Sequence, residues 1–195
     1  ILSNLNNKII HFLNNNISSE IKIYNKEQKN RLKTNIVKNS KLYNEIEDIF
    51  RSFLDKLSEE FNKKINILKI NSDIALPNSN LQYPHWDNEH NEKKVFLTIP
   101  LVDMDSKNGS IEIWPATQGV DNYIDKKLNN VKYSLSNIQF RETFQELIDI
   151  EKKIKSYSGP FLKTQILLRD NSTLHRGTVN KSDKVRVTLT IVLDL

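Results

Sequence analysis

From Val185 to Leu193 the chain alternates strongly. Val185, Val187, Leu189, Ile191 and Leu193 fall on one side of an extended strand, and Arg186, Thr188 and Thr190 on the other. Side chains repeat every two residues along a strand and every 3.6 along a helix, so only a β-strand sorts these residues cleanly. One face belongs in a core. The other, a polar row headed by an arginine, must meet either solvent or a polar cavity, and a cavity that binds a carboxylate accounts for the row.

Upstream, the periodicity changes twice. Leu42, Ile46, Ile49, Phe50, Phe53, Leu54, Leu57 and Phe61 form one stripe at helical spacing, which predicts a core-facing helix. Residues 5–38 are read as one or two shorter helices. From Lys64 the pattern turns to strands: Ile65 through Ile70, Val95 to Val102, and Ser110 to Trp114 after an Asn108-Gly109 turn signal that predicts a hairpin. A polar helical insert is strongest at Phe140–Tyr157 and ends at Gly159-Pro160. Strands at Thr164–Asp170 and Lys184–Leu193 close the chain. The expectation is a single 195-residue domain, mainly β with N-terminal helices: a helical buttress over 1–63, then a jelly-roll core over 64–195 with a helical insert at about 119–158.

Composition narrows the chemistry. The chain has no cysteine, which excludes disulfide scaffolds, zinc fingers, iron–sulfur clusters and thiol catalysis. Any metal must sit on His, Asp or Glu, and there are four histidines. No apolar run reaches the roughly 18–20 residues that span a bilayer, so no membrane partner is expected. The net charge of +5 invites a nucleic-acid reading. However, residues 1–64 hold twelve Lys/Arg against eight Asp/Glu, interspersed among twelve asparagines, which fits a solvated face better. The chain begins at Ile1, so it reads as a processed form from which a targeting peptide could be missing, and a cytoplasmic location is expected. Monomer and homodimer both stay open.

His85 and Asp87 stand at i and i+2 in Gln82-Tyr83-Pro84-His85-Trp86-Asp87, where an extended chain turns both to the same side. Alone, the pair is commonplace. The stretch Leu167 to Gly177 runs out of a buried-type strand and offers His175 beside a turn glycine, and Arg186 follows eleven residues later. Together His85, Asp87 and His175 make up a two-histidine, one-carboxylate triad of the kind that holds non-haem Fe(II). Three protein ligands leave three positions open, which suits a chelating 2-oxo acid and O2. The distal carboxylate of 2-oxoglutarate then needs a fixed, planar cation, for which Arg186 serves, with the Thr188 hydroxyl on the same face.

These blocks resemble the phytanoyl-CoA dioxygenase-like group of Fe(II)/2-oxoglutarate oxygenases from about Asn66 to the C-terminus. The group's His-x-Asp is His85-Trp86-Asp87. Its strand–turn–strand block is Phe96 to Asp103 and then Asn108 to Pro115, and its distal block runs from Arg169-Asp170 through His175-Arg176-Gly177 to Arg186. The chain departs from the pattern at Pro115-Ala116-Thr117-Gln118, which lacks the group's usual histidine, and at Thr164-Gln165, where Gly-Asp is usual. The resemblance implies a double-stranded β-helix (jelly roll, cupin-like), Fe(II), 2-oxoglutarate and O2, and oxidation of a C–H bond in a small organic substrate with release of succinate and CO2. Related halogenases lack the carboxylate ligand, so Asp87 points to hydroxylation or desaturation.

Rival readings attach to several residues. Lys184 competes with Arg186 as the anchor. Gln82 and Thr98 are candidate cofactor contacts. Trp86 is read as core, Trp114 as either core or cofactor packing, Arg176 as either a salt bridge or a substrate contact, and His90 as an exposed loop residue. A different class also fits the triad: a jelly-roll metal-binding protein, or a hydrolase or isomerase using zinc or another divalent metal, which would have no use for a buried Arg186. A nucleic-acid demethylase of this superfamily would carry a second arginine where Val192 stands.

Overall fold

The computed structural model describes residues 21–25, 29–82, 84–87, 94–117 and 153–194, with positions 7 and 11 besides. The strands are β1 (Ile21–Asn25), β2 (Arg31–Ile36), β3 (Ile67–Ala75), β4 (Lys94–Pro100), β5 (Ile111–Ile113), β6 (Tyr157–Ser158), β7 (Leu167–Asp170), β8 (His175–Gly177) and β9 (Arg186–Asp194). The helix α1 (Lys41–Glu60) lies between β2 and β3. Six strands form one sheet in the order β1-β2-β3-β9-β4-β7, and three form a second in the order β6-β5-β8. Every neighbouring pair is antiparallel.

The closing strand β9 sits at the centre of the large sheet, paired with β3 on one side and β4 on the other. Its two faces do different work. Val187, Leu189, Ile191 and Leu193 are buried in a cluster with Ile70, Ile74, Leu97 and Ile99, closed from outside by Leu42, Ile46, Phe50 and Leu54 of α1. Arg186, Thr188 and Thr190 are equally buried but face the second sheet, where a polar cavity lies between the two. Alternation in the sequence thus becomes a division between core and cavity.

Helix α1 starts where Ser40 caps it, its hydroxyl accepting from the Tyr43 amide at 3.2 Å. The apolar stripe is narrower than its spacing suggests. Ile49 and Phe61 are 37% and 51% exposed, while Tyr43 is buried and takes a place in the core.

Three sequence expectations need correction. Residues 21–25 and 31–36 are two strands, not helix, so a β-ribbon precedes α1 within the segment read as a helical buttress, while positions 7 and 11 are helical as expected. Short windows such as Arg31-Leu-Lys-Thr-Asn-Ile carry little periodicity of their own, and the open edge of β3 decides between the alternatives. Pairing there buries Thr34 against Ser72, hydroxyl to hydroxyl at 2.7 Å. Next, Asn108-Gly109 does not close a hairpin between β4 and β5. The chain leaves the large sheet after β4 and β5 joins the small one, with Met104 bridging to Phe161 on the way. The Asp105 carboxylate accepts from the Lys107 and Asn108 amides, and Gly109, at φ +87°, lies where a Cβ would stand 2.8 Å from the Thr178 carbonyl oxygen. Finally, Tyr157–Ser158 is strand rather than the end of a helix. Most of the insert over 119–158, and His90, fall outside the described residues.

A candidate metal centre facing a buried arginine

Residues 79–82 and His85 run alongside 175–180 as irregular extra pairing on the small sheet. Gln82 donates its amide to the Gly177 carbonyl at 3.0 Å, and His85 and His175 exchange amide-to-carbonyl bonds at 2.9 Å in each direction. This pairing puts two histidines ninety residues apart directly opposite each other, with ring centroids 4.5 Å apart. Asp87 follows on the same side, its amide held by the Asn171 carbonyl at 3.2 Å.

One donor atom from each of His85, Asp87 and His175 lies within 4.8 Å of the others, close enough for a single ion to bind all three. The donor set is also prepared. Nδ1 of His175 lies 3.0 Å from the Thr173 carbonyl oxygen, which can only accept, so Nδ1 carries the proton and Nε2 keeps its lone pair. Nε2 stands 3.5 Å from Oδ2 of Asp87. Burial drives the His175 imidazole well below its ordinary pKa, with Arg169 and His85 adding to that and Asp87 and the Thr173 carbonyl opposing it, so the ring is neutral, as ligation requires. Burial alone would raise the Asp87 carboxyl; its positive surroundings, the Arg169 guanidinium foremost, outweigh burial and hold the group ionised, far below the usual carboxylate range. Two imidazoles and one carboxylate are a donor set that suits a divalent iron-type ion.

Beyond the triad the cavity is lined by Lys33, Asn71, Asp73, Thr98, Arg186, Thr188 and Thr190 from the large sheet, and by Gln82, Arg176 and Gly177 from the opposite side. Arg186 is 2% exposed. Its Nη1 reaches the Thr188 hydroxyl only at 3.5 Å, and its buried Nε finds no hydrogen-bond partner among the described residues. Burial lowers its pKa from the ordinary value and Asp73 partly restores it. A buried guanidinium with an idle donor is poised for an anion.

The remaining sequence candidates sort themselves by contact. Thr98 and Thr188 line the cavity, and Thr188 also donates to the Asp73 carbonyl at 3.3 Å. Gln82 lines it too, but its side-chain oxygen accepts from the Gly177 amide at 2.7 Å, so that atom holds the turn after His175. Lys184 is exposed and precedes β9, away from the cavity lining. Arg176 pairs with Glu112 at 2.6 Å and stacks on Trp114, while remaining on the cavity wall. Trp114 is fully buried. Trp86 is half-buried rather than core.

Three residues escaped sequence reading. Arg31 of β2 donates Nε to the Asn80 carbonyl at 2.8 Å and Nη2 to the Thr178 carbonyl at 2.7 Å, strapping the turn beside His175. Burial, reinforced by Arg186, lowers its pKa to about 10. Lys33, on the same strand, adds a cation to the cavity wall. Arg169 donates Nη2 to Asp87 and lies over the Phe96 ring at 4.5 Å. The first two lie on a segment read as helix. Arg169 stood in plain view beside Asp170, in a strand whose direction of facing a lone sequence leaves undecided.

The fold, with its large and small sheets enclosing a polar cavity, is a double-stranded β-helix, or jelly roll. No family model matches the sequence, and no curated protein matches it. Solved structures do. AviO1 from Streptomyces viridochromogenes Tue57 superposes with a TM-score of 0.66 at 12% identity, over 100% of this chain and 82% of its own. SnoN, the non-heme alpha ketoglutarate dependent epimerase from nogalamycin biosynthesis, superposes at 0.71 and 11%, over 99% and 73%. HygX from Streptomyces hygroscopicus, crystallised with nickel and 2-oxoglutarate, superposes at 0.62 and 13%, over 98% and 78%. At these identities the likeness establishes the architecture.

Proposed function

We propose that this chain is an Fe(II)- and 2-oxoglutarate-dependent dioxygenase of the phytanoyl-CoA dioxygenase-like type, hydroxylating or desaturating a small organic metabolite. His85, Asp87 and His175 hold the iron; Arg186 and Thr188 take the distal carboxylate of 2-oxoglutarate, with Thr98 lining the cofactor's cavity. When bound, iron, 2-oxoglutarate and O2 together supply the oxidising power, the co-substrate leaving as succinate and CO2. The chain itself contributes orientation and charge. Thr173 sets the His175 tautomer, the cationic surroundings keep Asp87 ionised, and the buried sheet face around Arg186 keeps water from competing for the distal carboxylate.

The observation that carries this reading is the pairing of a three-ligand centre with a buried, under-satisfied arginine on the wall of one cavity. A zinc hydrolase or a simple metal store gives no reason to bury Arg186. That SnoN has been crystallised with Fe3+ and alpha ketoglutarate, and HygX with nickel and 2-oxoglutarate, supports the same assignment here. HygX also binds hygromycin B and SnoN nogalamycin RO, so the shared fold admits small-molecule substrates.

The test is succinate release from 2-oxoglutarate by the iron-loaded protein. Asp87→Ala is expected to abolish it while the circular-dichroism spectrum is unchanged. Arg186→Met removes a charge-assisted bond of about 1.5–3 kcal/mol, so 2-oxoglutarate affinity should fall roughly tenfold to a hundredfold with metal binding retained. Undiminished turnover in Asp87→Ala removes the iron assignment, and undiminished affinity in Arg186→Met removes the anchor.

A further inference from the structure

Arg169 has more donors than its known contacts use. Its side chain is only 7% exposed, Nη2 is committed to Asp87, and the guanidinium plane is stacked on Phe96. Nη1 is buried and finds no hydrogen-bond partner among the described residues. A guanidinium is a rigid planar fork, so a nitrogen adjacent to the one holding Asp87 must lie close to the triad as well. Leaving a buried cationic donor unpaired is costly, and the usual resolution is an anion. The walls favour one: Lys33, Arg169, Arg176 and Arg186 line the cavity against Asp73 and Asp87.

We propose that Arg169 is a second anion anchor of this cavity, its Nη1 receiving the carboxylate of an organic acid seated beside the metal position, at the end opposite Arg186. That carboxylate is either the one adjoining the keto group of the 2-oxo acid or one belonging to the primary substrate. The inference rests on the function proposed above and extends it. Arg169 holds Asp87 with one prong and the ligand with the other, so the metal's own carboxylate and the incoming carboxylate share a single rigid group.

The experiment uses protein loaded with redox-inert Zn(II), so that binding is read by calorimetry without turnover. The probes are 2-oxoglutarate, 2-oxobutyrate (which lacks the distal carboxylate) and, on the 2-oxoglutarate-saturated protein, acetate. Arg169→Lys keeps a cation opposite Asp87 but loses the second prong; Arg169→Met loses both. If the anchor serves the 2-oxo acid, both variants weaken 2-oxoglutarate and 2-oxobutyrate by the same factor, tenfold or more, whereas Arg186→Met weakens only 2-oxoglutarate. If it serves the substrate, both 2-oxo acids bind the variants as they bind the wild type, and acetate binding is lost. The proposal is overturned if Arg169→Lys binds Zn(II), both 2-oxo acids and acetate within twofold of the wild type. It is equally overturned if the variants lose only Zn(II) affinity, because Arg169 then merely holds Asp87. Failure of the wild type to bind any 2-oxo acid would instead sink the dioxygenase reading, which keeps the two failures apart.

Discussion

At the scale of single residues, the centre is built from groups whose protonation folding has already chosen. His175 is neutral because burial, Arg169 and His85 all oppose a charge on it. In the unfolded chain the same ring titrates near its ordinary value of about 6.5. Below that pH the unfolded state binds a proton that the native state refuses, so acid favours unfolding. Asp87 acts in the same direction at lower pH, since its stabilisation is present above the ordinary carboxyl value and is lost as pH falls through the depressed one. The metal-free protein should therefore lose stability on acidification from pH 6.5, by about 1.4 kcal/mol per pH unit once the unfolded His175 is fully charged. Thermal midpoints between pH 7.5 and 5 measure this. His175→Gln is expected to flatten the slope, and an unchanged slope in that variant would place the titrating group elsewhere.

At the scale of elements, the turn between the two sheets is tightly constrained. Gly109 combines a left-handed backbone with the close approach of the Thr178 carbonyl, and the Thr178 amide in turn donates to the Ser110 carbonyl at 2.8 Å. A Cβ there meets backbone, which has no rotamer to yield. Gly109→Ala is expected to destabilise the protein by roughly 1–3 kcal/mol in a denaturant titration, with a shift of the midpoint and an unaltered slope. Because that turn packs on the segment following β8, which carries His175, the same variant should weaken metal binding more than an exposed substitution such as Phe61→Ser. Strand β2 acts from the opposite side, where Arg31 clamps the carbonyls of Gly177 and Thr178.

At the scale of the whole molecule, the ligands join parts that are far apart in the chain. The candidate triad ties residues 85–87 to β8 in the small sheet, and Arg186, the proposed anchor, begins an inner strand of the large one. On the proposed function, a metal and a 2-oxo acid bound together would cross-link both sheets in the native state only. At a hundred times its dissociation constant a ligand adds about 2.7 kcal/mol, or roughly 5–10 °C in a domain of this size. Stripping the metal with a chelator should lower the thermal midpoint, and metal plus 2-oxoglutarate should restore it beyond what metal alone achieves. In Asp87→Ala neither addition should move the midpoint, and a full shift there would show that the ligands bind outside the triad.

What the chain states by itself is what local pattern can encode. The period-two run ending at Leu193 is β9, the period-3.6 stripe from Leu42 is α1, and His85, Asp87, His175 and Arg186 stand out as candidates because their residue types and order suit the proposed chemistry. Backbone pairing energy is not written in a short window, so Arg31–Ile36 reads as helix until β3 offers it an edge, and Asn108-Gly109 reads as a hairpin until the return strand proves to lie in another sheet. Nor does the sequence say which buried donors are left over. That Arg169 meets Asp87 and keeps a nitrogen idle, and that Arg31 rather than Lys184 stands near Arg186, depends on sheets that fold over one another. Electrostatic partners across a cavity are chosen by distance in space, and only the tertiary structure sets that distance.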